Sequence, residues 1–258
     1  MQKKKARESA GPGAGAVRPA GLRHVSRISG TRVHTSVANE IGQRIVRGDY
    51  PPGTILPNEA QWSNMFEVSR SVVREAIKML MAKGLLTSRP KVGSWVEPRE
   101  RWNLLDRDVL TWYSASPERK AFLKTVQEFR YIIEPEAAAL AAARRTDEQM
   151  AEISQALQEM GTATTLQDRT DADTRFHVAI LRASGNELLM PLGVLIDSAL
   201  DRLFVFTTRE VNSLRHAQKL HENIEKAIRQ KKPETARSAV RKLLANTDEV
   251  INSAKIAP

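Results

Sequence analysis

Asp173 and His177 stand four residues apart in a segment of helical apolar spacing, so both side chains share one helical face. A carboxylate oxygen and an imidazole nitrogen so placed make part of a divalent-metal site. His221, on a later amphipathic segment, could bring a second imidazole across a bundle. Arg130, on an earlier segment, carries a guanidinium that can hold a carboxylate through two parallel hydrogen bonds. The same spacing also fits a plainer case, in which the aspartate and histidines are polar residues satisfied inside a helical core. His24 and His216 have no assignable partner and are expected at the surface. The chain has no repeated Glu-x-x-His pair, no Gly-rich phosphate loop and no nucleophile with an evident base, so no catalytic apparatus is expected. It has no cysteine, which removes disulfides and thiolate chemistry.

A second set of residues points to nucleic acid. Between Ile55 and Val96 the sequence reads as a short helix, a tight turn, a second helix and a hairpin. Asn58 can cap the first helix, with Glu59 in its first turn and Ala60, Met65 and Phe66 on its apolar side. Ser69 is the cap of the second, and Val72, Val73, Ile77, Leu80 and Met81 form its core-facing stripe. Arg70, Ser71 and Arg74 fall off that stripe in the first two turns. In a helix-turn-helix those turns enter the major groove, where arginine bonds guanine edges or phosphates. Gly84 stops the helix, and the basic tip Arg89-Pro90-Lys91-Val92-Gly93 joins two short strands as the wing. The DNA-contacting candidates are therefore Ser69, Arg70, Ser71, Arg74, Arg89, Lys91 and Gly93.

The remaining elements position these two sets. A helix from about Ser36 to Arg47, with Val37, Ile41 and Ile45 on one side, completes a winged helix-turn-helix over residues 34–99. Residues 100–116 read as a connector with a short helix ending near Tyr113, Asn103 as its cap, and Leu105, Val109, Leu110 and Trp112 needing a docking surface. Residues 117–258 read as an all-helical bundle of six segments, roughly 118–145, 147–163, 168–184, 187–210, 213–231 and 233–254. Pro135 inside the first should kink it, and Pro233 suits the first turn of the last. The fold class is thus mainly α, a winged helix-turn-helix followed by an all-helical bundle.

Charge divides the same way. Residues 1–34 carry eight basic residues and one acid, residues 35–99 nine and six, and residues 100–258 23 of each, so the whole excess of +10 lies at the end that holds the reader. Residues 1–33 are rich in Gly, Ala, Pro, Arg and Lys and read as a disordered basic tail, a spacer or a non-specific DNA arm. No apolar run approaches the ~18 residues of a membrane span and no signal-peptide core follows the basic start, so a cytoplasmic protein is expected.

At this level the chain resembles the GntR family of transcription regulators. The matching residues are L56-P-N-E59, V68-S-R-S-V-V-R-E-A-I77, L80-x-x-x-G84-L-L and G93-S-W-V96. The later part resembles the FCD effector domain of the family's FadR-type branch through R130-x-x-x-E134, A137-A-A-L-A-A-A143, D173-x-x-F-H177, S184-G-N186 and H221-x-x-I-x-x-A-I228. The resemblance implies a homodimer on a pseudo-palindromic operator, with Arg70 and Arg74 as chief DNA contacts. It implies Asp173, His177 and His221 as ligands of a divalent metal, zinc first among them, and Arg130 as the holder of a small carboxylate effector such as a sugar acid. Two positions depart from the pattern. Leu243 stands where many members carry a further histidine, and Ala60 where many carry a basic residue. The rival expectations are a metal-dependent enzyme fused to a DNA anchor, and a metal-free regulator of long acyl ligands. Asp173, His177 and Arg130 speak against the acyl ligand, because burying them around a fatty chain would leave polar groups unpaired.

Overall fold

The computed structural model describes residues 30–89, 92–197 and 211–253. The first core is built by α1 (Gly30–Arg47), α2 (Glu59–Phe66) and α3 (Arg70–Ala82), with strands β1 (Leu86–Arg89) and β2 (Gly93–Val96). Helix α1 starts before the expected Ser36, and Val37, Ile41 and Ile45 are buried as their spacing required. Asn58 and Gln61 cap α2 reciprocally, each side chain bonding the other's backbone amide at 3.0 and 2.8 Å. Glu67 takes the left-handed conformation at the turn into α3, with φ 53°. Ser69 caps α3 through the amide of Val72.

Two apolar expectations change here. Trp62, not counted on the apolar side of α2, is fully buried, stacked on Phe66 and edge-on to Tyr50. A helix of eight residues is too short for spacing alone to define its inner face. Met81, counted on the stripe of α3, is exposed, because the buried face is Val73, Ala76, Ile77 and Leu80. Strands β1 and β2 pair antiparallel from Leu86↔Val96 to Arg89↔Gly93, and Ile55 adds a single bridge to Trp95.

The connector begins with a 3-10 turn, Arg99–Arg101, and continues as α4 (Arg107–Ser114). Its cap is Asp106, which accepts from the amides of Asp108 and Val109; Asn103, the expected cap, bonds the amide of Leu105 ahead of the helix. Of the apolar residues expected to dock, Val109 and Trp112 rest on the first core and Leu110 is buried, whereas Leu105, ahead of the helix, is exposed. Trp102, Val109 and Trp112 belong to the same buried cluster as α1 and α3. The Trp112 ring lies over Gly42, where a Cβ would sit 2.3 Å from it, so only glycine lets α1 and α4 approach this closely. Lys83, just past α3, binds both Asp106 and Asp108 at 2.8 Å.

The second core is all helical: α5 (Arg119–Arg144), α6 (Asp147–Thr162), α7 (Leu166–Ala183), α8 (Val211–Arg229) and α9 (Pro233–Ser253). Thr146 and Gln149 form a capping box at α6, and Pro233 opens α9 where its missing amide costs nothing. Helix α5 continues through Pro135, which has no amide to offer the carbonyl of Tyr131. The segment expected as one helix over 187–210 starts instead as a 3-10 turn, Glu187–Leu192, containing Pro191; residues 193–197 are helical and the rest lie outside the described residues. Ala137, Ala138, Ala141 and Ala142 of α5 let Phe176 of α7 and Ile224 and Ile228 of α8 close over them. Gln127 ties α5 to α9 through the carbonyl of Leu244 at 3.0 Å.

Candidate metal centre and DNA-binding face

Three helices meet around four charged or titratable side chains inside the second core. Asp173 and His177 project from α7, His221 from α8, and Arg130 from α5, all of them buried. One ligand atom from each of Asp173, His177 and His221 falls within 4.8 Å of the others. His221 Nε2 lies 2.8 Å from Asp173 Oδ1, and His177 Nε2 lies 3.9 Å from the same oxygen. These three atoms are also buried, and none of them makes a well-aligned hydrogen bond, although His221 Nε2 stands close to Asp173 Oδ1. Leaving three buried polar atoms unpaired is costly. One cation among them would satisfy all three, and two imidazoles with a carboxylate are a donor set that suits zinc. The residues therefore fit a divalent metal. Phe176 packs edge-on against both imidazoles and walls the cluster from the core.

Behind the ligands stands Glu134, a residue the spacing gave no site role. Its Oε2 is 2.8 Å from His177 Nδ1 and its Oε1 is 2.5 Å from Arg130 Nε. Burial pushes the Glu134 carboxyl up, but Arg130 and His177 outweigh it and hold it down at about 2. Burial likewise opposes ionisation of Asp173, but the neighbouring His221, His177 and Arg130 side chains together pull its carboxyl below the usual range. His221 Nδ1 bonds the carbonyl of Ala217 at 2.8 Å. The guanidinium of Arg130 is thus committed to Glu134, with Gln127 Oε1 at 3.5 Å. The i, i+4 spacing of Arg130 and Glu134 was visible in the sequence, but the approach of His177 to Glu134 was not. Leu243 is buried in the apolar core. His216 is exposed, as expected.

The DNA-reading candidates gather on the other core. Ser69, Arg70, Ser71 and Arg74 are exposed along the first two turns of α3. The hydroxyls of Ser69 and Ser71 lie 2.8 Å apart. Arg74 is held by Glu59 of α2 through two hydrogen bonds, Nε to Oε1 at 3.0 Å and Nη2 to Oε2 at 2.8 Å. Sequence reading gave Glu59 only a place in the first turn of α2. Arg89 lies over the Trp95 ring at 5.3 Å, and Gly93 turns the wing with φ +107°. Lys91 lies outside the described residues, as does the basic tail over 1–29.

A winged helix-turn-helix joined to a helical domain is the architecture of a DNA-binding regulator. Residues 34–96 match the bacterial regulatory proteins of the gntR family, and residues 125–246 match the FCD domain. The chain belongs to the GntR family and is a transcription regulator of the FCD-bearing kind, not an enzyme. It is 35% identical over 212 residues to the galactonate operon transcriptional repressor of Escherichia coli K12, covering 80% of this chain and 91% of that protein. It is also 35% identical to the uncharacterised HTH-type transcriptional regulator YieP of the same organism, over 83% of this chain and 93% of that one. Among solved structures it shares its fold with Lar, described as controlling the Listeria monocytogenes agr system, at a TM-score of 0.59 and 21% identity over 85% of this chain and 96% of that one. Among the described residues no helix is long and apolar enough to cross a membrane.

Proposed function

We propose that this protein is a one-component repressor whose affinity for operator DNA falls when a small carboxylate, a sugar acid such as an aldonate, binds beside a metal in the helical domain. The observation that carries the sensor reading is the convergence of three unpartnered buried donor atoms, Asp173 Oδ1, His177 Nε2 and His221 Nε2. In this reading those residues hold the metal, zinc by preference, which supplies a Lewis-acid seat for a carboxylate. Three protein ligands leave further positions open, since Leu243 contributes none. Arg130 keeps its charge beside that seat and adds attraction for an incoming anion. Similarity to a galactonate operon repressor supports a sugar acid over other carboxylates.

On the DNA side, Arg70 and Arg74 read bases or phosphates, Ser69 and Ser71 contact the backbone, and the wing with Arg89, Lys91 and Gly93 lies toward the minor groove. Two copies of the chain set their recognition helices in successive major grooves, acting in the cytoplasm as a homodimer. Residues 1–33 form a tail, 34–99 the reader, 100–116 the connector, and 117–258 the effector and dimerisation domain. The effector acts by binding two arrangements of the readers with different affinity.

The test is a thermal-shift screen of metal-replete and chelated protein against aldonates and other small organic acids. The expected result is a ligand that stabilises the replete protein alone and weakens its binding to operator DNA. Absence of metal from the purified protein, with no shift from any acid, would end the metal-sensor reading and leave the DNA reader intact.

A further inference from the structure

We propose that Glu134 is the positioning residue of the buried centre, setting which nitrogen of His177 faces the metal. The inference rests on the reading of Asp173, His177 and His221 as metal ligands. Glu134 sits on α5 between two partners of opposite need. On one side Arg130 Nε lies 2.5 Å from its Oε1, and a guanidinium only donates. On the other side its Oε2 is 2.8 Å from His177 Nδ1. An ionised carboxylate accepts at both oxygens, so His177 carries its proton on Nδ1. Nε2 is then left without a proton, 3.9 Å from Asp173 Oδ1. A neutral imidazole binds a metal only through the nitrogen that carries no proton, so this tautomer is the ligating one.

His221 presents the same nitrogen, Nε2, to Asp173 by another route. Its Nδ1 faces the carbonyl of Ala217, which can only accept. One ligand is thus oriented by the backbone, beyond the reach of side-chain substitution, and the other by Glu134. Arg130 completes the device. Its charge keeps Glu134 from being an isolated buried anion, and its donor fixes which way the carboxylate group turns.

The substitution Glu134→Gln separates orientation from mere packing. It keeps the shape but offers one oxygen and one NH2 group. Arg130 must take the oxygen, so the NH2 group faces His177 Nδ1, which must then accept. The proton of His177 moves to Nε2 and occupies the position where the metal would bind.

The experiment is long-range nitrogen-15 NMR of the imidazoles in metal-free protein, with zinc affinity measured by competition with a chromogenic chelator. The expected result is an Nδ1–H His177 in the wild type and an Nε2–H His177 in the variant, with His221 unchanged. Zinc affinity should fall roughly 10- to 100-fold in a variant that still unfolds cooperatively. A folded Glu134→Gln protein that keeps the Nδ1–H tautomer, or binds zinc within about twofold of wild type, overturns the proposal. Should the variant fail to fold, the wild-type spectrum decides, and an Nε2–H His177 there overturns it equally. A wild type that binds no zinc refutes the metal reading instead, which the metal-free spectra distinguish from a wrong assignment of Glu134.

Discussion

Arg74 of the recognition helix and Glu59 of the preceding helix face each other across the helix-turn-helix turn and form a two-point ion pair. Glu59 holds the arginine in a fixed direction before any DNA is present, and Arg74 in turn keeps the Glu59 carboxyl below its ordinary range. An exposed pair of this kind contributes little to folding. Its role lies in what Arg74 can reach.

Arg74→Ala should therefore weaken binding to the specific operator roughly 10- to 100-fold while leaving the thermal melt close to wild type. Fluorescence anisotropy with operator and scrambled duplexes reads both terms. Glu59→Ala should keep non-specific affinity but narrow the gap between the two duplexes, because Arg74 loses its fixed orientation. Undiminished discrimination in both variants would remove Arg74 from the reading surface.

His177→Ala should abolish the thermal stabilisation gained from zinc and the response to effector, while operator binding persists. The physical reason is that a two-ligand remnant of Asp173 and His221 holds a divalent cation poorly. Chelation of the wild type should mimic the variant. An effector response of full amplitude in His177→Ala would exclude this cluster as the sensor.

Gly42→Ala should destabilise the reader. The added Cβ would stand 2.3 Å from the Trp112 ring, and Trp112 is itself buried. Overpacking of this sort costs about 1–3 kcal/mol, against a gain of at most about 1 kcal/mol from the better helix former. Urea unfolding followed by tryptophan fluorescence should show a lower midpoint. An unchanged midpoint would mean that the connector helix does not rest on α1 in solution.

Tyr131 ties α5 to α9. Burial and its hydrogen bond to Asp248 push the phenol up to about 12. The protonated phenol is favoured in the folded state, so its contribution is complete below the ordinary value of 10 and is lost as pH rises toward 12. Ultraviolet titration should find a tyrosine that ionises late, and Tyr131→Phe should remove that step. Loss of the step from a different tyrosine would place the contact elsewhere.

Much of the architecture was legible in the chain because local rules set it. Asn58 and Ser69 cap helices where short polar side chains precede apolar periodicity. The stripe of α3 and the turn at Gly93 follow from spacing and from glycine's freedom at positive φ. The charge division announced which end meets DNA. Short elements were less legible. Trp62 was missed because two turns of helix do not define a face, and Asp106 displaced Asn103 as a cap because either side chain fits the local pattern.

What the sequence determined by itself was therefore the family, the order of elements and the residue types available for chemistry, since these depend on neighbours within a few positions. Only the tertiary structure decided that His177 reaches Glu134, that Glu59 grips Arg74, and that α4 rests on Gly42. Such contacts join residues far apart in the chain, and their geometry follows from how packed helices set distance and rotation, which no local periodicity encodes.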